Sequence, residues 1–183
     1  MSDCQTPKEI LASDDKRIVG SLRDLLNDAD IVISHNGKAF DHRKFNTRLI
    51  LNGFQPCTPY AFVDTLEHSR KIGAFSSNRL NFLGILFANK EKLSTDYKLW
   101  AQCEQGDQEA LDYMSQYCNE DVNLLEEVYL ELRGFMKSHP NVGLFVDSNN
   151  AICCNCGSEN LTDNIGYYST SVNKYPVVRC NDC

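Results

Sequence analysis

The sequence predicts an α/β protein, in which a sheet with flanking helices precedes a small cysteine-rich module at the C-terminus. Short apolar runs at residues 30–34 and 61–63 have the length and composition of buried strands. Apolar residues at helical spacing precede and follow these runs, which is the pattern of helices packed on a sheet. Two Cys-x-x-Cys pairs near the C-terminus predict the separate module.

The composition limits the classes of function. The 183 residues are 42% hydrophobic, which is enough for a core, and no apolar run approaches membrane-spanning length. The net charge of −7 argues against a protein that coats nucleic acid by bulk electrostatics, but not against a nuclease whose acids are neutralised by metal ions. The first residues form neither a secretory signal nor a transit peptide. Four scattered cysteines favour a reducing, cytoplasmic location: Cys4, Cys57, Cys103 and Cys118.

The first third of the chain predicts a helix, a strand and a second helix. A capping hydroxyl and first-turn acids at 13–15 begin the first helix, which ends near Asn27. The strand follows at 30–34 and stops at turn residues. The second helix runs from Lys38 to Asn52, where an Asn-Gly pair ends it. The apolar residues expected to pack inward are Ile18, Val19, Leu22, Leu25 and Leu26 in the first helix and Phe45, Leu49 and Ile50 in the second.

A loop with two prolines leads to the second strand and to four more helices. The strand at 61–63 is followed by a helix over 64–72 and by a short, largely buried helix that begins near Leu80. Residues 89–106 are expected to be irregular or weakly helical. The last two helices are expected over 107–118 and 120–136. Their inward residues are Ala110, Leu111 and Met114, and then Val122, Leu125, Val128, Tyr129 and Leu132.

Asp41 lies just past the carboxyl end of the first predicted strand, where α/β proteins place ligands and catalytic groups. An acid ringed by bases suits a metal ion that meets a phosphate. The alternative is an ordinary first-turn acid favoured by the helix dipole. Asp64 also ends a strand, and its alternative is an N-cap for the helix that follows. The bases around Asp41 are Lys38, Arg43, Lys44 and Arg48.

Tyr117 and Asp121 are four residues apart on a predicted helix, so they share one face. The alternative to a functional pair is that Tyr117 is an ordinary half-buried tyrosine and Asp121 an ordinary solvated acid. Lys90, Lys92 and Lys98, which come earlier in the chain, are either phosphate contacts or solvated side chains.

Together, Asn36-x-x-x-Phe40-Asp41 and Tyr117-x-x-x-Asp121 resemble the second and third motifs of the DEDD-class 3′–5′ exonucleases, in the subclass that carries tyrosine. Those exonucleases have a ribonuclease H-like (DnaQ-like) fold. The resemblance runs from about Ile10 to Met136. The first motif of the family, Asp-x-Glu on a β-rich run, does not occur ahead of Asp30. The resemblance therefore implies a partial ribonuclease H-like fold, in which an incomplete mixed sheet with flanking helices lacks its first three strands.

The resemblance implies hydrolysis of phosphodiester bonds with two Mg²⁺ or Mn²⁺ ions. Asp41 and Asp121 would bind these ions, and Tyr117 would orient the attacking water. Without the acids of the first motif, the two aspartates should hold metal poorly. The implied partners are a single-stranded 3′ end of nucleic acid and a DNA polymerase or an N-terminal segment, in phage-like DNA replication or repair. Candidate nucleic-acid contacts are His35, Asn36, Lys38 and Arg48.

The C-terminal cysteines have the spacing of a zinc ribbon. Cys153 and Cys156 form one pair, Cys180 and Cys183 form the other, and a strand-like run over 175–179 precedes the second. One Zn²⁺ in tetrahedral Cys₄ coordination would substitute for a hydrophobic core in so short a segment. A redox pair is the weaker interpretation, because such pairs usually sit on a βαβ unit.

We expect three parts: a nuclease core over 1–138, a linker over 139–151 and a zinc ribbon over 152–183. The absent motif suggests a fragment, a split gene product or a degenerate copy of a longer exonuclease. One functional hypothesis is a 3′–5′ exonuclease chain whose activity alone is weak. The other is a non-catalytic module that binds nucleic acid or a replication protein.

Overall fold

The computed structural model describes residues 15–183, which form two compact units that meet in sequence between Asp64 and Thr65. Within this range no helix is both long and apolar enough to cross a membrane. The helices are α1 (Lys16–Asn27), α2 (Asp41–Leu51), α3 (Thr65–Ile72), α4 (Leu80–Ala88), α5 (Tyr97–Glu104) and α6 (Gln108–Arg133). The strands are β1 (Ile31–Ser34), β2 (Ala61–Asp64), β3 (Leu161–Ser169) and β4 (Lys174–Cys180), and a 3₁₀ turn spans Val142–Leu144. The expected helix start at Ser13 and Asp14 lies outside the described residues.

The first unit confirms the predicted α/β class. Its strands β1 and β2 are parallel, with Ile31 opposite Ala61 and Ser34 opposite Asp64. Parallel pairing brings the carboxyl ends of both strands to one edge, which places the residues that follow them side by side. Between residues 15 and 64 the sheet has these two strands only, so no antiparallel strand of a mixed sheet is described there.

The core of the first unit lies between α1 and α2. Val19, Phe45 and Leu49 are buried together, as expected, and Leu26, Phe54 and Cys57 pack against them. The rest of the predicted apolar stripe is not buried, because α2 covers only the Val19 side of α1. The expectation of an inward position is therefore wrong for Ile18, Leu22, Leu25 and Ile50, which are 62%, 41%, 69% and 76% exposed.

The second unit is organised around α6, which is one continuous helix. The expectation of two helices is wrong, because no proline or glycine interrupts residues 108–133. The side chain of Asp107 caps the helix by accepting a hydrogen bond from the backbone N–H of Ala110 at 2.9 Å. Leu124 and Val128 are buried along the helix, whereas Leu111 and Val122 are exposed, against expectation.

Two short helices, α4 and α5, pack against α6. Gly84 of α4 allows a close approach, since a Cβ at this position would lie 2.7 Å from the Leu124 side chain. The segment expected to be irregular or weakly helical contains the helix α5, because Asp96 provides an N-cap that accepts from the backbone N–H of Leu99 at 2.8 Å. Trp100 on α5 is 53% exposed, so it does not anchor this segment in a core.

The division of the chain into a core, a linker and a ribbon stays a prediction. The cysteine-bearing hairpin of β3 and β4 is antiparallel, with Leu161 opposite Cys180 and a bulge between Thr162 and Gly166. The expected strand over 175–179 is part of β4. The preceding strand β3 was not anticipated.

Candidate active site and metal centre

A buried carboxylate holds the turn that leads from β1 into α2. Asp64, at the carboxyl end of β2, is only 3% exposed. Its two oxygens accept hydrogen bonds from the backbone N–H groups of Asn36 at 2.9 Å and Lys38 at 3.2 Å. The sequence allowed two interpretations of Asp64, an acid at the end of a strand and an N-cap. The structure shows a further role for this carboxylate. Asp64 fixes the backbone of the turn that precedes Asp41.

The shape of this turn depends on two residues. Asn36 has φ +65°, a left-handed conformation that asparagine adopts more readily than most residues. Gly37 is buried, and a Cβ there would lie 2.2 Å from the Ser34 Oγ. The turn then delivers Asp41 as the first residue of α2, with its side chain exposed to solvent. The predicted position of Asp41, just past a strand and at a helix start, is confirmed.

The basic residues around Asp41 have different environments. Arg48 forms a two-pronged ion pair with Asp15, in which Nη2 lies 2.6 Å from Oδ1 and Nε meets Oδ2. The Arg48 guanidinium holds the pKa of Asp15 below its usual range. Lys38 is exposed and His35 is half-buried. Because Arg48 already joins the start of α1 to α2, a phosphate would have to compete with Asp15 for it. The assignment of His35, Asn36, Lys38 and Arg48 as nucleic-acid contacts stays a prediction.

Tyr117 and Asp121 lie on one side of α6, and the ammonium group of Lys92 meets both. The Lys92 Nζ is 2.6 Å from the Asp121 Oδ2 and 5.2 Å from the centroid of the Tyr117 ring. Burial lowers the pKa of Lys92, but the hydrogen bonds to Asp121 and Tyr117 outweigh burial and leave this pKa raised. Lys92 is therefore neither a solvated side chain nor an open phosphate contact. Nothing in the local sequence signals this long-range pair.

The two halves of the predicted active site lie in different units. Asp41 belongs to the first unit, and Tyr117 and Asp121 belong to the second. Carboxylate oxygens are the ligands that Mg²⁺ and Mn²⁺ prefer, so both aspartates suit these ions chemically. In residues 15–183 the four C-terminal cysteines form the one cluster of three or more potential metal ligands. The convergence of Asp41 with Asp121 on a shared pair of ions stays a prediction.

The four C-terminal cysteines form a candidate zinc site. The sulfur atoms of Cys153, Cys156, Cys180 and Cys183 all lie within 4.8 Å of one another. Two Sγ–Sγ distances are 3.5 Å, between Cys153 and Cys183 and between Cys156 and Cys180. A disulfide would need about 2.05 Å, whereas a tetrahedron with Zn–S bonds of about 2.3 Å has sulfur–sulfur edges of about 3.8 Å. The cluster therefore suits zinc and not a pair of disulfides.

Backbone N–H groups donate hydrogen bonds to two of the cysteine sulfurs, which favours the thiolate forms that bind a cation. The N–H of Asn155 donates to the Cys153 sulfur at 3.4 Å, and the N–H of Asp182 donates to the Cys180 sulfur at the same distance. Burial raises the pKa of Cys153, but backbone hydrogen bonds from Asn155 and Cys156 outweigh it and hold this pKa at about 7. Burial and the neighbouring sulfurs raise the pKa of Cys183. One thiolate therefore forms easily, and a cation is needed to stabilise the others.

The cysteine cluster is attached to the end of α6. The Asn155 side chain donates to the backbone carbonyl of Arg133 at 3.1 Å. A Cβ on Gly134 would lie 2.8 Å from the backbone carbon of Cys183, so Cys183 and the end of the helix touch closely. In the adjoining loop, the N–H of Val142 donates to the carbonyl of Cys154 at 2.8 Å. Whatever orders the cysteines therefore also supports the C-terminal end of α6.

The comparisons with known proteins identify one family. The sequence model described as the RNase H superfamily matches residues 5–133, which is more than half of the chain. The matched range contains Asp41, Tyr117 and Asp121 and ends before the cysteine cluster. Searches of curated proteins and of solved structures return no match.

Proposed function

The chain belongs to the RNase H superfamily, and we propose that it is part of a metal-dependent 3′–5′ exonuclease acting on a single-stranded end of nucleic acid. Membership supports nucleic-acid binding and a nuclease-type function in general. The observation that carries the finer proposal is the set of side chains on two rigid elements. Asp41 begins α2 directly after the turn held by Asp64, and Tyr117 and Asp121 share one side of α6.

Each side chain has a separate task in the proposed reaction. Asp41 and Asp121 would hold two divalent ions, which when bound would activate a water and offset negative charge on the phosphate. The Tyr117 hydroxyl would orient the attacking water. The Asp64 carboxylate keeps the turn before Asp41 rigid, so that the metal-binding oxygens are placed before the ion arrives.

Two more carboxylates are needed for full activity. The resemblance assigns them to an Asp-x-Glu motif on a β-strand, and we propose that a segment of this type pairs with the second edge of β1. Among the described residues β1 pairs with β2 alone, and the exposed Leu22 of α1 lines a shallow apolar pocket together with Val32 of β1. An open strand edge beside apolar surface favours the addition of another strand.

A nuclease assay tests the proposal. We expect the 183-residue chain to release nucleotides weakly from a single-stranded 3′ end in Mg²⁺, and strongly once a β-rich segment bearing Asp-x-Glu is supplied. Asp41→Asn, Asp121→Asn and Tyr117→Phe should each abolish the gain, whereas Glu126→Gln, at an exposed acid on α6, should not. Activity that survives Asp121→Asn, or a folded complex without activity, would contradict the proposal.

The cysteine-bearing hairpin favours a second candidate, which is a non-catalytic nucleic-acid-binding module. Tyr167, Tyr168 and Tyr175 are 73%, 65% and 50% exposed on β3 and β4. Exposed aromatic rings can stack on the bases of a single strand. If this candidate is correct, single strands bind with equal affinity to the chain and to its Asp121→Asn variant, and no supplied segment produces hydrolysis.

A further inference from the structure

Lys92 forms an ion pair inside the second unit with a residue that we assign to metal binding. Its Nζ lies 2.6 Å from the Asp121 Oδ2, at the distance of a charge-assisted hydrogen bond. The same ammonium lies 5.2 Å from the centre of the Tyr117 ring, within the range of a cation–π contact. One cation therefore contacts both of the residues that α6 contributes to the proposed site.

The backbone fixes the position of Lys92. The N–H of Lys92 donates to the Asn81 side chain at 2.7 Å, which attaches the segment after α4 to the start of that helix. The side chains of Lys92 and Asp121 are 24% and 23% exposed, so water screens this pair only in part. The nearby Lys90–Glu127 ion pair, at 60% and 37% exposure, is more open to solvent. The better shielded pair is the one on Asp121.

We propose that Lys92 is a positioning residue that occupies the Asp121 carboxylate as an internal cation and that a divalent ion must displace. The inference rests on the proposed function, because it assigns metal binding to Asp121. A Mg²⁺ ion would lie about 2.0–2.1 Å from a carboxylate oxygen. An ammonium within hydrogen-bonding distance of that oxygen repels the ion and takes up one of its coordination directions.

Displacement is feasible because the lysine head group is on a flexible four-carbon stem. Before displacement, Lys92 holds Asp121 and Tyr117 in fixed relative positions. It also raises the concentration of divalent ion that is needed to fill the site. Lys92 therefore orders the side chains of Tyr117 and Asp121 when the metal concentration is low, and it lowers the affinity of the Asp121 site for a divalent ion.

Mn²⁺ titration of the full chain, with zinc already bound to the cysteines, tests this competition. Mn²⁺ bound at Asp121 broadens the NMR resonances of the nearby Tyr117 ring, and the concentration for half-broadening reports local affinity. In Lys92→Met we expect half-broadening at an Mn²⁺ concentration about fivefold lower, which corresponds to about 1 kcal/mol. Lys92→Arg, which keeps the charge, should remain close to wild type.

Matched variants separate competition from a merely structural role. Lys90→Met removes the same charge two residues earlier in the chain and should leave the Tyr117 titration unchanged. The double variant Lys92→Met/Asp121→Asn should lose the gain in affinity. If Lys92→Met keeps a native circular dichroism spectrum but binds Mn²⁺ equally or more weakly, the inference on Lys92 is overturned.

The experiment also distinguishes this inference from the proposed function. Mn²⁺ broadening that is unaffected by Asp121→Asn, or that is absent from every variant, would remove the metal role of Asp121 and overturn both. Broadening that depends on Asp121 but has the same midpoint in Lys92→Met would overturn only the role of Lys92. No hydrolysis is needed for either result.

Discussion

Replacement of Asp64 tests how the turn before Asp41 is held. Asp64→Ala removes the acceptor for the backbone N–H groups of Asn36 and Lys38, which donate to its two oxygens. A hydrogen bond to a charged group contributes about 1.5–3 kcal/mol. Because Asn36 and Lys38 are themselves exposed, water replaces part of this loss, and we expect a net cost of about 2 kcal/mol.

Hydrogen exchange measures this cost locally, without assuming that two compact units unfold in one step. A loss of about 2 kcal/mol should speed exchange of the Asn36 and Lys38 amides by about thirtyfold. Asp64→Asn keeps one acceptor oxygen, so it should protect one of these amides better than Asp64→Ala does. Asp24→Asn, at an exposed acid on α1, is the control and should change neither amide. Unchanged exchange at both amides in Asp64→Ala would refute the claim that the Asp64 carboxylate holds this turn.

Two further predictions concern the turn and the cysteines. Metal analysis of the purified chain should find one bound Zn²⁺. The Cys180→Ser variant should lose the ion, and circular dichroism should show that its hairpin has unfolded. An ordered hairpin without zinc would contradict this prediction. Gly37→Ala should lower the local stability of the turn by about 1–3 kcal/mol, because its Cβ would overlap Ser34. Faster hydrogen exchange of the Asn36 amide measures this loss, and unchanged exchange would count against it.

The position of Asp41 could be predicted because it depends on local signals. A short apolar run, then Asn36 and Gly37, then helical spacing define a strand, a turn and a helix start without knowledge of the rest of the fold. The role of Asp64 could not be predicted in the same way. Its carboxylate reaches the turn only because β2 pairs in parallel with β1 and brings the two strand ends together.

The wrong predictions of buried helix residues also arise from tertiary contacts that the sequence does not show. Periodicity identified the apolar stripe of α1 but not its covered part, which depends on how far α2 extends over it. The shared face of Tyr117 and Asp121 followed from a spacing of four residues, and α6 confirms it. The partner of Asp121 could not be predicted, because Lys92 lies in a separate segment that connects α4 to α5.

Cleavage of the backbone by bound Fe²⁺ tests most directly whether Asp41 and Asp121 hold the same metal ions. Fe²⁺ with ascorbate and peroxide generates hydroxyl radicals that cut the chain close to the bound ion. If the two aspartates share a site, mass spectrometry should find cuts near Asp41 and near Asp121 in one sample, and Asp121→Asn should remove both sets. Glu126→Gln should keep them. Cuts at only one of the two segments, or cuts near Asp41 that persist in Asp121→Asn, would contradict the shared two-metal site.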